Sequence, residues 1–188
     1  MRLLPFLAFL LIAVGCNSQN QNQSKSSDQV PLPAASLKDI HWQLRDLLRM
    51  QLPATYPGER NGQSFKKSYS IDYQWKEEEK NFLIEVPEKR LDLETEQVTG
   101  GSRYFISFEN VDVNAVRIIF SEDEKLTALL IPAKKGKNFT YHPFGNEPDE
   151  PVDGLTIGWY DRVQDRTLNR ALSLWQQFLA KMSDELPK

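Results

Sequence analysis

One cysteine, Cys16, and two histidines, His41 and His142, are all that these 188 residues hold of the side chains most used for disulfides, thiol catalysis and metal binding. A single cysteine cannot close an internal disulfide. The two histidines fall in different segments, without the i, i+4 spacing of a helical metal pair. There is no Gly-x-Ser-x-Gly elbow and no glycine-rich phosphate loop. A Ser-His-Asp set assembled in space would have only His41 or His142 to draw on. Positive charge is not in excess either: 23 Lys and Arg stand against 26 Asp and Glu, a net of −3, which offers no basic field for nucleic acid. The chain is therefore read as not an enzyme, with no cofactor, no metal and no nucleic-acid partner. A long hydrophobic run is also missing. The longest, from Leu3 to Val14, would rise roughly 18 Å as a helix against a hydrocarbon core of ~30 Å.

That short run has a different use. Met1-Arg2 is a charged start, Leu3 to Val14 is apolar apart from Pro5, and Gly15 precedes the cysteine. This is the layout of an export signal. Its end, Ile12-Ala13-Val14-Gly15-Cys16, resembles the lipobox of bacterial lipoproteins, with Ala13 where the pattern prefers leucine. The resemblance implies a signal peptide over 1–15, cleavage before Cys16 and diacylglycerol on its thiol. Each buried CH₂ contributes roughly 0.8 kcal/mol, so two or more acyl chains would hold the protein to its membrane in effect permanently. Position 17 is Asn rather than Asp, and by the enterobacterial sorting rule that implies the outer membrane. Loss of residues 1–15 removes one charge, Arg2, and moves the net from −3 to −4.

Residues 17–30, NSQNQNQSKSSDQV, hold one apolar side chain, Val30. Such a stretch buries too little apolar surface to offset its ordering entropy and reads as a tether. Fourteen residues of this kind have a typical reach of about 20 Å. Pro31-Leu32-Pro33 stiffens the approach to a single domain predicted over 36–188, with residues 16–35 as lipidated cysteine and tether.

Ser36 with Asp39 forms a helix start, and Leu37, Ile40, Leu44, Leu47 and Leu48 recur on one face until Pro53 approaches. Trp42 lies off that stripe and is expected to pack on a sheet rim, with a place on a contact surface as the alternative; His41 is expected to be solvated. Residues 53–64 read as loop. The period then changes to two. Tyr69, Ile71, Tyr73 and Trp75 alternate with polar residues, as do Phe82, Ile84 and Val86, a run that Pro87 should end. Leu91 and Leu93 begin a weaker strand closed by Gly100-Gly101. Further strands follow at Tyr104–Phe108, Val116–Phe120, Leu126–Ile131, Phe139–Tyr141 and Leu155–Trp159. No helix-length segment separates them, so sequential antiparallel pairing follows. Leu168, Ala171, Leu172, Trp175, Phe178, Leu179 and Met182 form the stripe of a closing helix, with Asp161 or Asp165 as its cap. Gly145 to Asp153 carries Glu147, Asp149, Glu150 and Asp153 and reads as a solvated acidic loop without EF-hand spacing.

The predicted class is α+β: an N-terminal helix, seven or eight antiparallel strands as a curled sheet or barrel, and a C-terminal closing helix. The run Phe105 to Asp112, then Val116, the Lys134–Tyr141 hairpin and Gly154 to Leu179 resemble the pleckstrin-homology-like lipoprotein domains of Bacteroidetes-type bacteria. The resemblance spans roughly residues 36–182 and implies a fold, not a chemistry. A lipocalin-like barrel is the alternative, though the usual Gly-x-Trp signature is missing. Functionally the chain is expected to be a membrane-anchored, non-enzymatic binding module that meets an envelope protein. The alternative is a small barrel carrying a lipid or other apolar ligand against Tyr69, Ile71, Tyr73, Trp75, Tyr104, Ile106 and Trp159. A surface hydrolase is the third choice.

Overall fold

The computed structural model describes residues 35–56, 65–95 and 97–187, all within the compact unit Ala34–Lys188. Cys16, the signal segment, the tether and most of the 53–64 loop lie outside the described residues.

Helix α1 spans Leu37–Asp46. Ser36 caps it reciprocally: its hydroxyl accepts from the Asp39 N–H at 3.2 Å, and the Asp39 carboxylate accepts from the Ser36 N–H at 3.1 Å. A π-helical turn, Leu47–Gln51, continues it and stops before Pro53. Ten strands follow among the described residues: β1 (Ala54–Tyr56), β2 (Phe65–Tyr69), β3 (Asp72–Lys76), β4 (Asn81–Asp92), β5 (Val98–Ser107), β6 (Arg117–Phe120), β7 (Leu126–Pro132), β8 (Phe139–His142), β9 (Glu150–Val152) and β10 (Gly154–Asp161). Helix α2, Asp165–Glu185, ends the fold.

The strands form two antiparallel sheets, not one. The larger has the order β1-β2-β4-β5-β8-β9, with β3 also paired to β4; the smaller has the order β10-β7-β6. Neither closes into a barrel, so of the two predicted forms the open sheet is the one found. β1 and β9 are each only three residues long and lack alternation, so the sequence pattern predicts loop there.

Pro87 does not end its strand. β4 continues through it to Asp92, and Gly100 and Gly101 lie inside β5 rather than closing it: Pro87 faces Arg103, Lys89 faces Gly101 and Arg90 faces Gly100. Leu93 belongs to the turn. The run Tyr69 to Trp75 is divided into β2 and β3 by a break at Ser70 and Ile71, although Ser70 N–H still donates to Pro87 O at 2.9 Å. The Ile71 carbonyl is taken up by a side chain: His41 Nε2–H donates to it at 2.8 Å. His41 is therefore buried, not solvated, because an unpaired carbonyl there would be costly. Trp42, expected on a sheet rim, is instead 48% exposed.

The core lies where α1 and α2 meet both sheets. α2 contributes Leu168, Ala171, Leu174, Trp175, Phe178, Leu179 and Met182, all buried, whereas Leu172 is only partly so. Phe178 reaches the large sheet, its ring 5.5 Å from that of Tyr73. The helix starts after Gln164 without a side-chain cap; Asp165 sits in its first turn and accepts from the Thr127 hydroxyl at 3.1 Å. Tyrosines tie the small sheet to the segment before β1 and to the large sheet. Tyr160 Oη donates to Leu52 O at 2.9 Å, and Gly158 N–H donates to Tyr69 Oη at 3.3 Å. Gly158 has φ +66°, and a Cβ there would lie 2.2 Å from the Tyr160 ring, so the bulge between Ile157 and Tyr160 requires glycine.

Candidate functional site

β4 and β5 outrun their helical cover. Ile84 and Ile106, opposite each other, are fully buried. Further along the same strands no comparable apolar cluster exists, and both faces of the sheet carry a hollow. Strand alternation assigns the two faces, because directly paired residues share one.

The outer face carries the larger hollow, about 540 Å³, lined by Pro87, Lys89, Gly101, Arg103, His142 and Phe144 among others. The inner face, which also carries Ile84 and Ile106, has a hollow of about 210 Å³ lined by Lys67, Glu88, Arg90, Ser102, Tyr141 and Phe144. Gly100 and Gly101 border both. Where glycine stands, β5 presents only backbone, and a Cβ on Gly101 would meet Glu88 O at 2.7 Å. The Phe144 ring lies beside Gly100 and is 65% exposed.

The charges around these hollows are mostly paired. Lys67 Nζ lies 2.9 Å from Glu88, Arg103 lies 3.2 Å from Glu85, and His142 Nδ1 hydrogen-bonds the Asp149 carboxylate. Arg90 stacks its guanidinium 3.6 Å from the centre of the Phe65 ring, a cation–π contact. Lys89 is left without an ion pair among the described residues. Tyr104, stacked on Tyr141 at 4.9 Å, has its hydroxyl pKa pushed well above the usual tyrosine range by burial and by the nearby Glu88 carboxylate.

His142 and Asp149 have the first two members of a triad, but the neighbouring serine is turned away. Arg103 pairs with His142 across β5 and β8, so Ser102, one residue earlier, points to the opposite face. The Ser102 hydroxyl is buried there without a hydrogen-bond partner. Among the described residues no three His, Cys, Asp or Glu side chains come together in a set that could hold a metal.

Of the seven residues expected to form a ligand or core face, six belong to the core or pack against it. Tyr69, Ile71 and Ile106 are buried in the core, while Tyr73, Trp75 and Tyr104 are partly buried against it. Trp159 is partly buried on β10. None of the seven lines either hollow. Phe144 and the Gly100-Gly101 pair were missed. A glycine pair ordinarily marks a turn, and Phe144 stands alone between Pro143 and Gly145 with no periodic partner.

Comparison of the chain with protein-family models, with curated proteins and with solved structures finds no match.

Proposed function

We propose that this chain is a lipid-anchored module of the bacterial envelope that docks a protein partner on the outer face of its large sheet. The anchor rests on the sequence: the charged start, the short apolar run and Gly15-Cys16. Acylated Cys16 would hold the domain to its membrane, and Asn17 favours the outer one. No helix among the described residues is long and apolar enough to cross a membrane. The order helix, antiparallel strands, closing helix supports the resemblance to pleckstrin-homology-like lipoprotein domains.

The observation that carries the docking reading is the outer hollow at Gly100, Gly101 and Phe144. It combines an open backbone stretch, an exposed aromatic ring and the cations Lys89 and Arg103. Aromatic and arginine side chains at the centre of a recess are where binding energy concentrates. A ring held beside glycine can insert into a partner with little loss of side-chain freedom. Unpaired Lys89 favours a partner segment bearing carboxylates.

The test is site-specific photo-crosslinking in intact cells. A crosslinker at position 144 should capture one dominant envelope protein; the same group at Arg166, exposed on α2, should not. With the captured protein purified, Phe144→Ala should weaken binding by about 2 kcal/mol, roughly thirtyfold. Equal capture from both positions, or capture of lipid alone, would sink the docking reading. Separately, intact mass spectrometry and fractionation of Cys16→Ser test the anchor.

A further inference from the structure

The exposed face of α1 groups cations with large apolar side chains. Lys38, Trp42 and Arg45 recur at i, i+4 and i+7, which places them on one side of the helix. Arg49 and Met50 follow in the π-helical turn, with Met50 75% exposed. The Arg45 guanidinium lies 5.2 Å from the centre of the Trp42 ring and pairs with Asp72 at 3.3 Å, which fixes the indole in its outward position. Lys38 and Arg49 make no ion pair among the described residues. Of the nearby acids, Asp72 is engaged by Arg45, and Asp39 is engaged by Ser36 in the cap. Asp46, four residues after Trp42, is exposed at the edge of the same face.

Resting on the anchor reading above, we infer that this face lies against the bilayer to which Cys16 is attached and recognises its anionic lipid headgroups. Indole and thioether side chains suit the boundary between headgroup and acyl chain. Lysine and arginine beside them suit a negatively charged leaflet. The attachment point favours the same face. Ser36 opens the helix, and under the tether reading residues 17–30 alone would have a typical reach of about 20 Å, with residues 31–35 beyond them. A tether this short raises the effective concentration of the face at the membrane far above that of a free protein. The face shares no residue with the hollow at Gly100 and Phe144, so lipid contact leaves the docking site free.

The full chain, processed and purified as the cell makes it, would be placed in phosphatidylcholine–phosphatidylglycerol vesicles whose acyl chains carry bromine. Mass spectrometry would first read the lipid on Cys16. Tryptophan fluorescence should be quenched, and Trp42→Phe should remove most of that quenching, since Trp175 is buried and Trp75 and Trp159 are each partly buried. Lys38→Glu with Arg49→Glu, or vesicles of phosphatidylcholine alone, should weaken headgroup contact roughly fivefold per cation removed. Equal quenching in the parent and Trp42→Phe chains, with Cys16 acylated, overturns the inference and leaves the anchor standing. If Cys16 carries no lipid the anchor reading fails instead. The face is then judged by adding the chain from solution: phosphatidylglycerol-dependent quenching of Trp42 supports it, and no such quenching overturns it.

Discussion

The two halves of β4 and β5 are the same strands under different cover. In the first half, Phe82, Ile84 and Val86 face Ile106 and Phe108 beneath the helices, and burial does the stabilising. In the second half, Glu88 and Arg90 replace the apolar residues on that same face. There the pairing is held by the ladder, by Lys67–Glu88 and by Arg90 on Phe65. A β-strand can thus continue past its hydrophobic core if long polar side chains cover the pleat with their aliphatic stems. Such an extension is cheap to change and open on both sides, which suits contact with a partner.

The comparison breaks most visibly in the core. Trp175→Ala and Phe178→Ala should each destabilise the domain by about 3–5 kcal/mol, whereas Phe144→Ala should stay within about 0.5 kcal/mol. Urea denaturation measures both. Equal losses would mean that the hollow is part of the core. Next in size is Gly101→Val. Its Cβ would meet backbone, not a movable side chain, so a loss of about 1–3 kcal/mol is expected together with faster amide exchange along Val98–Arg103. Ser36→Ala removes the reciprocal cap from the covering helix and should cost about 1 kcal/mol. It should leave amide exchange at the open end unchanged.

The smallest effect concerns acid. Asp92, in the turn that joins β4 to β5, accepts hydrogen bonds from Thr95 and Glu94, which hold its carboxyl below the usual value of about 3.9. A carboxyl depressed in the folded state stabilises above its unfolded pKa and ceases to as pH falls through the folded one. The open end should therefore loosen below about pH 4, while the amides of Ile84 and Ile106 keep their protection. Amide exchange followed across that range reads the difference, and Asp92→Ala should remove the pH dependence.

The same contrast explains what could be read from sequence. Helical and alternating periods mark elements that bury one face, so α1, α2, β4 up to Val86, β7 and β10 are legible. The second half of β4 buries little and shows no such signal, so Pro87 and Gly100-Gly101 read as breaks. His41 was misjudged because its role is set by the Ile71 carbonyl, thirty residues away. The hollow was not legible for a similar reason. Phe144 acquires its meaning from Gly100 across a strand pairing that one sequence does not reveal. Tyr69, Ile71, Tyr73 and Trp75, by contrast, carry a clear period of two and lie in the core or against it.

The contact between α1 and α2 joins the two ends of the domain. The covered half of the large sheet cannot be sealed until the last 21-residue helix has left the ribosome. Such distant closure makes for slow folding, and until it is complete the nascent chain exposes its apolar strands. Under the export reading proposed above, that delay would keep the chain unfolded while it passes through the membrane.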